Sequence, residues 1–297
     1  MEAASRRDFL AAGAATAVPM IASAAPGTKA ASGGRAGLLA GKIAVVYGAA
    51  GAMGSAVSRA FAREGAHVEL AGRTLEKVQA LAAEISAAGG SAAAAKVDAL
   101  DQDAIAKHLD AVVAARGRVD ISFNLIGFGG QQGESVLTMP ARDVVEPVES
   151  GVRTHLLTAT AAARFMSKQH SGVILALTAQ VARKPYTGSG GFGVACAAIE
   201  GLCRQLAVDL GQDGIRVVAL RSSGSPDAPG VSAAIGEHAR LAGVSREAFE
   251  ARIAEKTMLK HMPKMAEVAN AAVLMASDRA SAITAAVTNV TCGEIAD

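Results

Sequence analysis

Apolar positions along this chain fall into two alternating rhythms. From residue 42, KIAVVYG is a short apolar run ending in glycine, and SAVSRAFAREG follows it with helical spacing. A strand feeding a helix through glycines is expected there. The pair then recurs as HVELAG before TLEKVQALAAEISAAGG, AAAAKVD before DAIAKHLDAVVAARG, and VDISFNLIG before a long helix over about residues 148–170. GVILALT precedes a helix opening at GFGVACAAIEGL, and IRVVALR reads as a sixth strand. Such alternation predicts an α/β fold of the doubly wound Rossmann type: a parallel sheet between two helical layers, three layers in all. Beyond the alternation the sequence carries no internal repeat.

Composition narrows the function classes. With 297 residues, 51% hydrophobic and 19% charged, the chain can bury a sizeable core. Only 3% of residues are aromatic and none is Trp, which argues against stacking on single-stranded nucleic acid. A net charge of +2 without a Lys/Arg block gives no electrostatic footprint for DNA or for acidic membranes. A small-molecule partner is the expectation that remains. The three cysteines, Cys196, Cys203 and Cys292, do not form a disulfide framework. Cys196 and Cys203 sit about 10 Å apart on one predicted helix, too far to bridge. Cysteine and histidine spacing suggests no metal site.

Residues 1–25 read as a leader. SRRDFL at Ser5 to Leu10 precedes the weakly hydrophobic AAGAATAVPMIASAA, which ends in the small-residue pattern Ala22-Ser23-Ala24. This resembles a twin-arginine export signal, and it implies a periplasmic or secreted protein. A retained cytoplasmic N-terminus with a chance arginine pair is the alternative. The Ala/Gly/Thr mixture is too weakly apolar for a membrane anchor, so no membrane span is expected in the mature protein. A Gly/Ser/Ala-rich linker over residues 26–37 then leads into a single domain over residues 38–297.

The loop YGAAGAMG, Tyr47 to Gly54, lies between a predicted strand and a predicted helix. Glycines there let backbone approach a dinucleotide's phosphates, and the helix N-terminus favours the anion. In order along the chain, this loop, VDAL at Asp98, NLIG at Asn124 to Gly127 and the closing EVANAAVLMASDRASAITAAVTNVTCG resemble the short-chain dehydrogenase/reductase family. The resemblance covers nearly all of residues 38–297. It implies an oxidoreductase that assembles as a dimer or tetramer and binds a nicotinamide dinucleotide through Gly48, Ala50, Gly51, Met53, Gly54, Asp98, Asn124 and Gly127. At the end of the second strand, where NAD-users carry an acid, LAGR supplies Gly72 and Arg73. A guanidinium forks onto a 2′-phosphate, so NADP is expected rather than NAD. The basic residue that NADP-users often carry inside the loop is replaced by Gly51.

The family's catalytic quartet reads differently here. Anchored on AAIEGL, its Tyr position falls on Phe192 and its Lys position, four residues on, falls on Cys196. The Ser position falls on Ala179 and the Asn position on Gly151. The chain has two tyrosines, and neither Tyr47 nor Tyr186 is followed by a lysine four residues later. Substitutes for the acid–base work are His155, on the same helix face as Gly151, Thr178 beside the Ser position, and Tyr186 with Lys184 in the loop before the helix. RSSG from Arg221 replaces the family's usual Pro-Gly turn. Residues 225–263 correspond to the substrate lid, with Ala248, Ile253 and Met258 expected as a modest apolar cover. Two functions fit: NADP(H)-dependent reduction of a small carbonyl or enone with a non-standard proton donor, or a non-redox lyase, isomerase or nucleotide-binding protein on the same frame. No residue in the lid names a substrate.

Overall fold

Seven parallel strands lie in the order β3-β2-β1-β4-β5-β6-β7. They are β1 (Ile43–Tyr47), β2 (His67–Gly72), β3 (Ser91–Lys96), β4 (Ile121–Asn124), β5 (Gly172–Ala179), β6 (Ile215–Ser222) and β7 (Ala286–Val290). The computed structural model describes residues 36–130 and 132–297, and residues 36–297 form one compact unit. The leader read at residues 1–25, and all but the end of the linker, lie outside the described residues.

A parallel sheet needs crossover helices, and these cover both faces. The cores divide by strand alternation. Ala44, Val46, Val68, Leu70, Ile121, Phe123, Leu175 and Leu220 face α1 (Ala52–Arg63), α2 (Leu75–Ala87) and α8 (Met265–Ala276). Val45, Tyr47, Ala71, Ile174, Ala176, Val217 and Ala219 face α3 (Gln102–Arg116), α4 (Ala141–Gln169) and α5 (Gly190–Leu210). By length and composition the stretch Gly190–Asp213, mean hydropathy 1.3, could cross a membrane. Here it packs against α4 and the sheet, which accounts for its apolar face.

Three elements differ from their sequence expectation. The long helix starts at Ala141 rather than near residue 148, and Pro147 lies inside it. Proline there removes one hydrogen bond close to the helix start, and a Cβ added to Gly130 would lie 3.1 Å from its Cγ. The fourth strand stops at Asn124 rather than continuing to Gly127. Asn124 Oδ1 accepts the N–H of Ile126 at 3.0 Å, which turns the chain out of the ladder. The lid folds as α6 (Pro229–Leu241) and α7 (Arg246–Glu255), but the expected apolar cover is not formed: Ala248 and Met258 are exposed and α7 buries no residue. Its apolar positions lack the helical spacing that would make one face continuous.

Helices α4 and α5 approach closely through small residues. A Cβ on Gly191 would lie 2.3 Å from the carbonyl oxygen of Val144 and 2.8 Å from its Cα. Gly191→Ala is therefore expected to destabilise the fold by about 1–3 kcal/mol. In an exposed helix interior the same change would stabilise by about 1 kcal/mol. Urea denaturation of the variant distinguishes the two signs.

Candidate active site

The chain winds one way from β1 to β3 and the other way from β4 to β7, so a crevice opens at the carboxyl ends of β1 and β4. Two adjoining cavities fill it and share the segment Leu125–Phe128 as their common wall.

The larger cavity, about 480 Å³, is lined by Gly48, Ala50, Gly51, Arg73 and Asp98 among others, with Gly127 and Phe128 at the shared wall. Its floor needs glycine at two points. Gly48 has φ +73°, and a Cβ on it would sit 2.8 Å from the Leu125 carbonyl oxygen. Gly54 does not line the cavity, but a Cβ on it would lie 2.2 Å from the Gly48 oxygen. This packing folds the loop tightly onto the start of α1, whose N-cap, Gly51, offers no side chain to the free N–H groups. The result is a backbone cradle suited to a phosphate group. Arg73 and Lys77, one turn apart and both exposed, line the rim beyond the end of β2. Among the described residues neither makes an ion pair. Sequence reading missed Lys77, although its four-residue spacing from Arg73 is the signal that finds it. Asp98 Oδ1 accepts the N–H of Leu100 at 3.0 Å.

The smaller cavity, about 320 Å³, collects Met53 and Asn124 with Thr178, Ala179, Phe192 and Cys196. Apart from the Cys196 thiol, its described lining holds no ionisable side chain. Phe192 stacks on Phe128, with ring centroids 5.4 Å apart and an interplanar angle of 24°. Phe128 also occupies the space in front of Gly151, where a Cβ would lie 3.2 Å from the Phe128 ring and 3.3 Å from Ile199 Cδ1. Gly151 and the two phenylalanines thus form one packing unit. Cys196 is fully buried, and burial pushes its thiol up to about 12, so it is no nucleophile near neutral pH. Two hydroxyls that sequence reading passed over, Ser222 and Ser225, line this cavity and are 5% and 2% exposed. Neither Oγ has a hydrogen-bond partner among the described residues.

A family model described as enoyl-(acyl carrier protein) reductase matches residues 48–294. The chain belongs to the short-chain dehydrogenase/reductase family of oxidoreductases. It is 28% identical over 257 residues to 7α-hydroxysteroid dehydrogenase of Escherichia coli K12, covering 86% of this chain and 95% of that one. It is 32% identical over 246 residues to tropinone reductase-like 2 of Erythroxylum coca, covering 82% and 86%. The crystal structure of sorbitol-6-phosphate 2-dehydrogenase from Erwinia amylovora superposes with a TM-score of 0.80 at 24% identity, covering 86% of this chain and 100% of the other. The family binds nicotinamide dinucleotides, and a solved relative in fold, xylitol dehydrogenase, holds NAD+ (TM-score 0.79, 22% identity, 86% and 99% covered).

Within this family frame, three residues expected to act on substrate have other partners. Thr178 lines the smaller cavity, yet its hydroxyl donates to Glu200 Oε1 at 3.0 Å. Glu200 is itself held by both Nε and a terminal nitrogen of Arg221, at 2.9 and 2.8 Å, and Arg221 also pairs with Asp297. Tyr186 lies in an exposed loop and donates to Gln132 Oε1 at 3.0 Å, while Lys184 sits 3.7 Å from Glu294. Neither Tyr186 nor Lys184 lines either cavity.

His155 lies off the cleft, between α4 and the sheet. Its Nδ1 donates to the Gly151 carbonyl at 2.8 Å, and its Nε2 is buried without a partner. Burial lowers its pKa to about 4, only partly opposed by the Gly151 bond. The imidazole is thus neutral in the fold and ionises near 6.5 once unfolded. Its stabilising contribution is present above pH 6.5 and is lost as pH falls through about 4. The loss amounts to roughly 3 kcal/mol. His108, whose pKa burial also lowers, adds loss of the same sign. His155→Gln should therefore flatten, without abolishing, the fall in unfolding free energy between pH 7.5 and 4.5, measured by urea denaturation.

Proposed function

We propose that this chain is an NADP(H)-dependent oxidoreductase that reduces the carbon–carbon double bond of an apolar conjugated carbonyl compound, without the Tyr–Lys proton donor of its family. The observation that carries this reading is the contrast between the two cavities: an intact phosphate cradle beside a substrate pocket whose lining has no acid or base competent near neutral pH.

Gly48, Gly51 and the first turn of α1 would take the pyrophosphate, and Asp98 the adenine. Arg73 and Lys77 together suit a 2′-phosphate better than a bare ribose, and no carboxylate at the end of β2 opposes them. When bound, the cofactor supplies a hydride. Met53, Leu177 and the Phe128–Phe192 stack would hold an apolar acceptor. The hydroxyls of Ser222 and Ser225 would donate to the acceptor's oxygen, where negative charge develops. The proton that completes reduction comes from water. A ketone carbonyl needs a proton on its oxygen as it is reduced, and lack of a general acid there typically costs about 10²- to 10⁴-fold. An enone reduced at carbon depends less on such a group.

Two further readings accompany this one. Export through the twin-arginine-like segment Ser5 to Leu10 requires that nucleotide be loaded beforehand and retained, so the protein isolated from the periplasm should carry it. Exposed Val145 and Leu156 on α4 and Val194 and Val208 on α5 support assembly as a homo-oligomer through these helices.

Nucleotide binding is the first test, followed by quenching or enhancement of dinucleotide fluorescence. NADPH should bind at least about tenfold more tightly than NADH, and Arg73→Ala with Lys77→Ala should erase that preference while leaving NADH affinity unchanged. Failure of both nucleotides to bind overturns the proposal.

Turnover is tested by mixing the NADPH-loaded protein with apolar enones and with the matching saturated ketones. Oxidation of NADPH by the enones alone is expected, and Ser225→Ala should lower kcat/KM by at least about tenfold. Tight binding with no oxidation by any acceptor supports instead a non-redox nucleotide-binding protein.

A further inference from the structure

Away from the cleft, three side chains of metal-ligating type converge where the lid segment ends. His261 lies in the loop between α7 and α8, Glu267 in the first turn of α8, and Cys292 in the turn after β7. One ligand atom from each lies within 4.8 Å of the other two. Cys292 Sγ is 3.6 Å from His261 Nδ1 and 3.9 Å from Nε2. A tetrahedral zinc ion, with Zn–S about 2.3 Å and Zn–N about 2.0–2.1 Å, sets sulfur and nitrogen about 3.6 Å apart. The Nε2–Sγ spacing of 3.9 Å lies within about 0.3 Å of that separation, close enough for the two to share an ion.

We propose that His261, Glu267 and Cys292 bind a divalent cation of the zinc class, with a fourth position open to water. The ligand types choose the metal: thiolate and imidazole favour zinc over magnesium or calcium. His261 Nδ1 lies 3.1 Å from the carbonyl oxygen of Met262. An N–H donated there fixes the tautomer and leaves the Nε2 lone pair for the ion, the usual outer support of a ligating histidine. Glu267 Oε2 accepts the N–H of Lys264 at 2.8 Å, which anchors the carboxylate and leaves Oε1 to coordinate. The backbone already joins the segments: Met258 N–H donates to Gly293 O at 3.3 Å and Leu259 N–H to Cys292 O at 3.0 Å. Binding replaces the S–H bond of Cys292 with an S–metal bond and releases the proton to water. The thiolate and carboxylate then offset the dication, and affinity rises with pH. The ion would tie the downstream end of the lid segment to the turn after β7.

The expected pattern of spacing along the chain did not reveal this site. His261 and Glu267 are six residues apart and Cys292 lies 25 residues further on, on a different element.

The test uses the full chain without a histidine tag, stripped by chelator and titrated with Co2+ as a spectroscopic probe, then with Zn2+ by competition. One equivalent of Co2+ should give a thiolate-to-cobalt charge-transfer band with tetrahedral d–d bands, and Zn2+ should displace it. Cys292→Ser should abolish the charge-transfer band. Glu267→Gln, which keeps an acceptor for the Lys264 N–H, should weaken Zn2+ at least about tenfold. Excess Zn2+ should raise Tm by about 5 °C in the parent and not in Cys292→Ser. Absence of a thiolate–cobalt band in the parent overturns the proposal, and so does equal Zn2+ affinity and equal Tm shift in a folded Cys292→Ser.

Discussion

All seven strands run in one direction, so their carboxyl ends open along a single edge of the sheet. The rest of the molecule follows from that constraint. Helices must return the chain across both faces, which requires strands apolar on both sides, as Ala44 to Tyr47 and Val217 to Leu220 are. Reversal of the winding between β1 and β4 keeps the connecting helices from covering the edge at one point, and there the loops after both strands meet. A Cβ on Gly48 would lie 2.8 Å from the Leu125 carbonyl oxygen, so the two loops pack here without room for a side chain between them. The cradle and the wall between the two cavities are therefore one packed unit.

Chemistry at the same edge depends on what the second half of the sheet presents. Phe128 fills the space that Gly151 leaves, Phe192 stacks on Phe128, and Cys196 packs one turn further along α5. These positions support one another: a longer side chain at residue 151 would displace Phe128, and with it the stack. A second layer behind them is polar. The buried Arg221–Glu200 pair takes the Thr178 hydroxyl as a further partner, and Asp297 holds the remaining side of the guanidinium. Removing Arg221 would leave the Glu200 carboxylate buried without its counter-charge, at a cost of about 3–5 kcal/mol. The network thus resists piecemeal change, and it takes from the cavity the one hydroxyl on β5 that faces it.

The fold was legible because it is written locally: apolar runs of strand length, helical spacing and glycines at the joints repeat along the chain. Where local signals conflicted, tertiary packing decided. Pro147 disfavours a helix that runs through it, yet α4 begins at Ala141, six residues before it. The site was legible in part. Gly48, Arg73, Asp98 and Gly127 line the cradle side, and Ala179, Phe192 and Cys196 meet at the other cavity, because spacing on one strand or one helix fixes which residues share a face. His155 shares a helix turn with Gly151 but points between layers, which helical spacing alone does not distinguish. The unpartnered Ser222 and Ser225 were hidden because orphaned hydroxyls are a property of packing, and nothing in RSSGS marks them.

The lid segment shows how these levels connect. Only its upstream end reaches the smaller cavity, through Gly224, Ser225, Ala228, Gly230 and Val231, while α7 has no buried residue. That helix has little apolar burial to hold it and belongs to the low-stability end of the fold, whereas α6 buries Ile235 and Ala239. Its downstream end is fastened by backbone bonds to the turn after β7, and the lid's upstream end by Asp227, which accepts the Met265 N–H at the start of α8 at 3.1 Å. Around α7 the segment is thus held by polar and backbone contacts on either side, rather than by apolar burial of the helix itself.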